Sequence, residues 1–255
     1  MDERLKAFER LLDIMDELRE KCPWDKAQTI DSLRKLTIEE TYELSEAIID
    51  QNDTNIKEEL GDILLHIVFY SKIASEDNKF DITDVLNSVC EKLISRHPHI
   101  YGDLELNDEN EVKENWEKLK LKEGRKSVLE GVPKGLPAMV KAQRVQDKVR
   151  QVGFDWERAS QVIDKIQEEL AEVQEAIDDK DQDEIEMEIG DLLFATINYA
   201  RLLGVDAEKG LELTNKKFIK RFQFVEQKAA GQGLNISDVP YKQMEEWYQA
   251  SKENE

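Results

Sequence analysis

The stretch Leu36-Thr37-Ile38-Glu39-Glu40-Thr41-Tyr42-Glu43, followed fifteen residues later by Glu58-Glu59-Leu60-Gly61-Asp62, decides how the rest of the chain is read. Glu40 and Glu43 are three apart, as are Glu59 and Asp62, so each pair shares one helix face. Residues 51–55, Gln-Asn-Asp-Thr-Asn, read as a tight polar connection. Folded back antiparallel about that turn, the two helices bring four carboxylates together. Convergent carboxylates repel one another until a cation neutralises them. An all-oxygen donor set selects Mg²⁺, with Mn²⁺ as a substitute, over zinc.

The same pattern recurs at an offset of 129 residues. Glu39, Glu40, Glu43, Glu46, Ala47 and Ile48 meet Glu168, Glu169, Glu172, Glu175, Ala176 and Ile177. Glu59-Leu60-Gly61-Asp62 meets Glu188-Ile189-Gly190-Asp191, and Tyr70 meets Tyr199, with no gap. One unit of fixed length is therefore used twice. An acidic string is most simply a solvated helix face. Against that reading, Asp62 and Asp191 lead straight into the apolar runs 63–70 and 192–199. Gly61 and Gly190 sit in mid-helix at a cost of about 1 kcal/mol relative to Ala. We read these glycines as marks of close packing beside the site.

Working outward, apolar residues recur at helical spacing almost throughout. Leu5, Phe8, Leu11, Leu12, Met15 and Leu18 form one stripe. Asp81 is placed to cap a helix that carries Ile82, Val85, Leu86, Val89 and Leu93 inward and stops near Pro98. A shorter helix holds Trp116. Helices follow from Ala138 and over about 159–177, 182–203, 206–228 and 239–251. No period-two stretch suggests a sheet. The expectation is an all-α fold of two tandem helical repeats, each a four-helix-bundle-type unit, with residues 1–122 as the first, 123–137 as a Gly- and Pro-containing linker and 138–255 as the second.

The bulk composition narrows the function classes. The 255 residues hold 57 acidic and 36 basic side chains, a formal net charge of -21. That charge repels nucleic acid and anionic membrane surfaces, so neither is expected as a partner. Any phosphate site must work through cations. Two cysteines, Cys22 and Cys90, lie in no CxxC pair, and the apolar run 63–70 is too short to span a bilayer. A cytoplasmic setting follows as an expectation. His66, inside an apolar run, is read as a core histidine. His97 and His99, flanking Pro98, are read as structural.

These residues resemble the MazG family of nucleoside triphosphate pyrophosphohydrolases in its two-repeat form. The resemblance is carried by Leu36 to Glu43, Glu58-Glu59-Leu60-Gly61-Asp62, Arg96-His97-Pro98-His99, Val152-Gly153-Phe154-Asp155-Trp156, Lys217-Phe218-Ile219-Lys220-Arg221-Phe222 and Cys22-Pro23-Trp24-Asp25. It implies two MazG-like repeats, a homodimer, magnesium dependence, and cleavage of a nucleoside triphosphate to monophosphate and pyrophosphate, broad in base and serving to clean the nucleotide pool. By motif, Glu169, Glu172, Glu188 and Asp191 are implied as catalytic metal ligands, with Glu40, Glu43, Glu59 and Asp62 as a second site. Asn215, Lys217, Arg221 and Trp247 are implied as substrate-binding, and Glu168 as the group that orients or deprotonates water. Lys217 and Arg221 are four apart and share a face, which suits a triphosphate.

The first half offers Lys92, Arg96 and Cys90 where the second has Lys217, Arg221 and Asn215, so the second is expected to be the main catalytic half. The phosphorus attacked, α or β, stays open. So do a more selective dUTP or phosphoribosyl-ATP pyrophosphatase and a non-enzymatic, metal-binding interaction protein.

Overall fold

The computed structural model describes residues 2–104, 108, 111–112, 115 and 127–253. The chain divides into two compact units, Met1–Trp116 and Glu117–Glu255. The helix expected around Trp116 and the start of the expected linker, residues 123–126, lie outside the described residues. Among those described every regular element is helical.

The first unit contains α1 (Glu3–Lys21), α2 (Pro23–Ala27), α3 (Ile30–Ile49), α4 (Asp53–Glu76), α5 (Ile82–Arg96) and the short α6 (Pro98–Tyr101). Local chemistry sets these boundaries. Thr29 and Ser32 form a reciprocal capping box at the start of α3, as do Asp81 and Asp84 for α5. Asn52 caps α4 by accepting from the backbone of Thr54 and Asn55. The α3–α4 connection is tighter than the five polar residues suggested, because Asp53 and its neighbours already belong to α4.

Met15, Leu33, Val68 and Phe69 form the buried core, with Phe8, Leu11, Leu12, Leu36, Leu65, Tyr70, Ile73 and Ile82 packed against it. Burying each such large side chain contributes roughly 1.5–3 kcal/mol. Thr37 and Tyr70 hydroxyls meet at 2.7 Å and tie α3 to α4. Arg19, nearly buried, pairs with Glu76 at 2.6 Å and donates to the Gln28 carbonyl at 3.1 Å, fastening α1 to the end of α4 and to the segment leading into α3. The predicted stripes are buried only in part. Leu5 is exposed, and α5 has no buried residue, with Leu86 and Leu93 open to solvent. Only Ile82 of that stripe reaches the core. An amphipathic pattern says that a face is apolar, not that the same unit covers it.

The second unit contains α7 (Ala138–Arg150), α8 (Ala159–Asp179), α9 (Gln182–Leu202), α10 (Ala207–Gly231), a 3₁₀ turn (Ile236–Asp238) and α11 (Tyr241–Lys252). Helices α8 and α9 form a hairpin that matches α3–α4. The match extends to the backbone of the turn. Gln51 and Lys180, at the same place in the repeat, both adopt the left-handed conformation, φ +53° and +59°. Asn52 and Asp181 follow as N-caps, their own N–H groups returning to the carbonyls of Ala47 at 3.0 Å and Ala176 at 3.2 Å. Gln146 on α7 donates to the Phe194 carbonyl at 2.9 Å, and Arg201 holds Asp155, fixing the loop before α8 against α9.

Candidate functional site

Each hairpin gathers carboxylates. Glu40 and Glu43 on α3 and Glu59 on α4 offer oxygens that all lie within 4.8 Å of one another. Glu169 and Glu172 on α8 and Glu188 on α9 do the same. Asp62 and Asp191 stand outside these tight trios, yet they act on them electrostatically. The expected four-carboxylate convergence is thus a trio plus a neighbour in each half. Glu169 is buried at 5% exposure, which a solvated acidic face does not produce.

Burial and mutual repulsion shape the protonation of these groups. Glu40 is raised above the ordinary carboxylate value by burial, then by Asp62 and Glu43. Glu59 is raised by desolvation, then by Glu43 and Glu40. Glu172 is raised by desolvation and Glu169, and Glu188 by desolvation and Asp191. In the second half a cation tempers the repulsion. Lys165 Nζ lies 2.8 Å from Glu168 and 2.6 Å from Glu169, and these partners raise the lysine above its ordinary value. Sequence reasoning missed Lys165, although its spacing of three and four from two glutamates was a readable signal.

The donor set in both trios is oxygen alone, with no histidine or cysteine within the groups. That chemistry fits a hard divalent cation such as Mg²⁺ or Mn²⁺. The packing assigned to Gly61 and Gly190 is corrected by the structure. A Cβ at either position would meet nothing within 4 Å, because that face of the helix is open.

The remaining expected residues sit on α10 and α11, which pack together. Lys217 and Asn215 are exposed, and Asn215 donates to Glu212 at 3.3 Å. Arg221 is half-buried one turn beyond Lys217, and Trp247 is half-buried on α11. Phe218 of α10 packs against Tyr248 of α11 with ring centroids 5.7 Å apart. In the first half, Cys90 is exposed and free, and Cys22 is also free. His66 is buried, matching its reading as a core histidine, and its Nδ1 has no hydrogen-bond partner. His97 caps α5, and its Nδ1–H donates to the Leu93 carbonyl at 2.6 Å.

The MazG nucleotide pyrophosphohydrolase domain matches this chain twice, over residues 28–101 and 157–225. The chain belongs to the MazG family. Each MazG match contains one complete hairpin with its carboxylates, and the second also contains Asn215, Lys217 and Arg221, while Trp247 lies beyond it. The chain is 40% identical to the nucleoside triphosphate pyrophosphohydrolase of Escherichia coli (strain K12), over 98% of this chain and 99% of the relative. It is 43% identical to the nucleoside triphosphate pyrophosphohydrolase/pyrophosphatase MazG of Thermotoga maritima, over 96% of this chain and 95% of that protein. A solved structure, the mazG-related protein from Thermotoga maritima, aligns with 44% of this chain and 98% of its own at 28% identity and a TM-score of 0.40. Among the described residues no helix is long and apolar enough to cross a membrane.

Proposed function

We propose that this chain hydrolyses nucleoside triphosphates to nucleoside monophosphate and pyrophosphate with Mg²⁺, accepts a broad range of bases, and serves to clear the nucleotide pool of the cytoplasm. The observation that carries the reading is the close carboxylate trio of Glu169, Glu172 and Glu188, on a hairpin inside a MazG match whose relatives are named for this activity.

The second half is assigned as the main site, since it alone pairs the trio with Asn215, Lys217 and Arg221. Glu169, Glu172, Glu188 and Asp191 would hold the cation. When bound, it supplies charge neutralisation for the triphosphate and polarises its oxygens. Lys217 and Arg221, on one helix face, compensate further phosphate charge, and Asn215 adds a neutral donor. Trp247 offers a flat apolar surface to the base. Glu168 is exposed beside the trio, where its carboxylate can orient the attacking water and take its proton. Water adds to phosphorus and the anhydride bond breaks: attack at the α phosphorus expels pyrophosphate with the bridging oxygen, and attack at the β phosphorus expels the monophosphate with it. The first trio is assigned as a second cation site.

Purified protein given nucleoside triphosphate and Mg²⁺ should release monophosphate and pyrophosphate in equal amounts across a panel of standard and damaged bases. Absence of both products refutes the proposal, and confinement to dUTP or phosphoribosyl-ATP replaces the broad reading with a selective one. In ¹⁸O-water, label in the monophosphate identifies attack at the α phosphorus and label in pyrophosphate attack at the β.

A further inference from the structure

The two hairpins differ in what the first helix brings to its carboxylates. On α8, Lys165 reaches Glu169 at 2.6 Å and Glu168 at 2.8 Å, with the lysine side chain 34% exposed. The repeat offset places Leu36 at the same point on α3, and Leu36 packs against the core around Met15 and Phe69. Among the described residues, the charged groups acting on Glu40 and Glu59 are other carboxylates, Glu39, Glu43, Glu58 and Asp62 besides each other. Glu172 and Glu188 feel Lys165 as well. Among the described residues, one cluster therefore carries its own cation and the other does not.

We propose that Lys165 is a resident counter-ion that weakens the binding of free divalent metal to the second cluster, so that in the nucleotide-free protein the first cluster is the tighter metal site. The inference rests on the metal role assigned above. A divalent ion entering between Glu169, Glu172 and Glu188 must either displace the Lys165 ammonium from Glu169 or sit beside it. The first course forfeits a close ion pair, and the second sets like charges against each other at a few ångströms. At Leu36 neither cost arises. The four first-half carboxylates meet the ion with their repulsion unrelieved, so its arrival gains more. When metal is scarce, the first half stays loaded while the half assigned to catalysis stays metal-poor.

The test is a Mn²⁺ titration of the nucleotide-free full chain, with free Mn²⁺ read by its electron paramagnetic resonance signal. Wild-type protein should show two classes of site. Glu43→Gln should remove the tighter class and Glu172→Gln the weaker. Lys165→Met and Lys165→Gln should each tighten the weaker class by about tenfold, a charge effect of the size expected for a partly solvated ion pair, with circular dichroism melts verifying the fold of both variants. Equal affinities in wild type, or a weaker class unmoved by both Lys165 variants, overturns the counter-ion proposal and leaves the metal role standing. Mn²⁺ binding that is absent, or that survives both glutamine variants, overturns the metal role itself.

Discussion

At the scale of single residues, spacing made the carboxylates legible, and burial sets Glu169 apart from an ordinary acidic face. Glu169 could be named from its neighbours at three residues' distance, but only the fold shows it at 5% exposure. The raised values of Glu40, Glu59, Glu172 and Glu188 have a thermodynamic consequence. A group raised on folding favours the native state below its unfolded value and loses that contribution as pH rises through its folded one. Metal-free protein should therefore lose stability from these groups as pH rises from the usual carboxylate range, and added Mg²⁺ should restore it. The expected outcome is a larger Mg²⁺-induced rise in Tm at pH 7.5 than at pH 5, measured by calorimetry; equal rises at both would detach the ion from these carboxylates. Gly61 and Gly190 were misread because a glycine in a sequence does not distinguish a crowded face from an open one. With nothing within 4 Å of a built Cβ, Gly190→Ala should stabilise the chain by up to about 1 kcal/mol, visible as a higher urea midpoint. A lower midpoint would show that the helix uses the glycine's backbone freedom.

At the scale of elements, the hairpins were the most readable feature, because period, cap and turn chemistry agree. Asn52 and Asp181 announce their helices, and the positions before them reverse the chain. What could not be read was which stripe finds a partner. Leu86 and Leu93 have the right spacing for burial and remain exposed, since periodicity fixes a face and only tertiary packing covers it. The two hairpins also allow their roles to be separated. Glu172→Ala should lower kcat by at least about a thousandfold, on the scale of losing a principal electrostatic group. Glu43→Ala should keep most of the activity. Equal losses in steady-state assays would contradict the assignment of the second half as the main site.

At the scale of the whole molecule, both units leave large apolar side chains uncovered on the second helix of the carboxylate hairpin. Leu60, Leu64 and Ile67 on α4 are exposed, as are Met187, Leu193 and Phe194 on α9. Apolar groups concentrated in this way signal association, despite a net charge of -21 that opposes it. We expect a dimer by light scattering, and Leu193→Glu should shift it toward monomer; an unchanged mass would place the contact elsewhere. The paired left-handed residues Gln51 and Lys180 bear on what a duplicated chain is free to alter. A helix advances about 100° per residue, so one residue inserted into either turn would swing Glu59 or Glu188 to another side of its helix and dismantle the trio. Side chains can diverge between the copies, as Leu36 and Lys165 have, but the turn works as a rotational gauge whose count cannot drift.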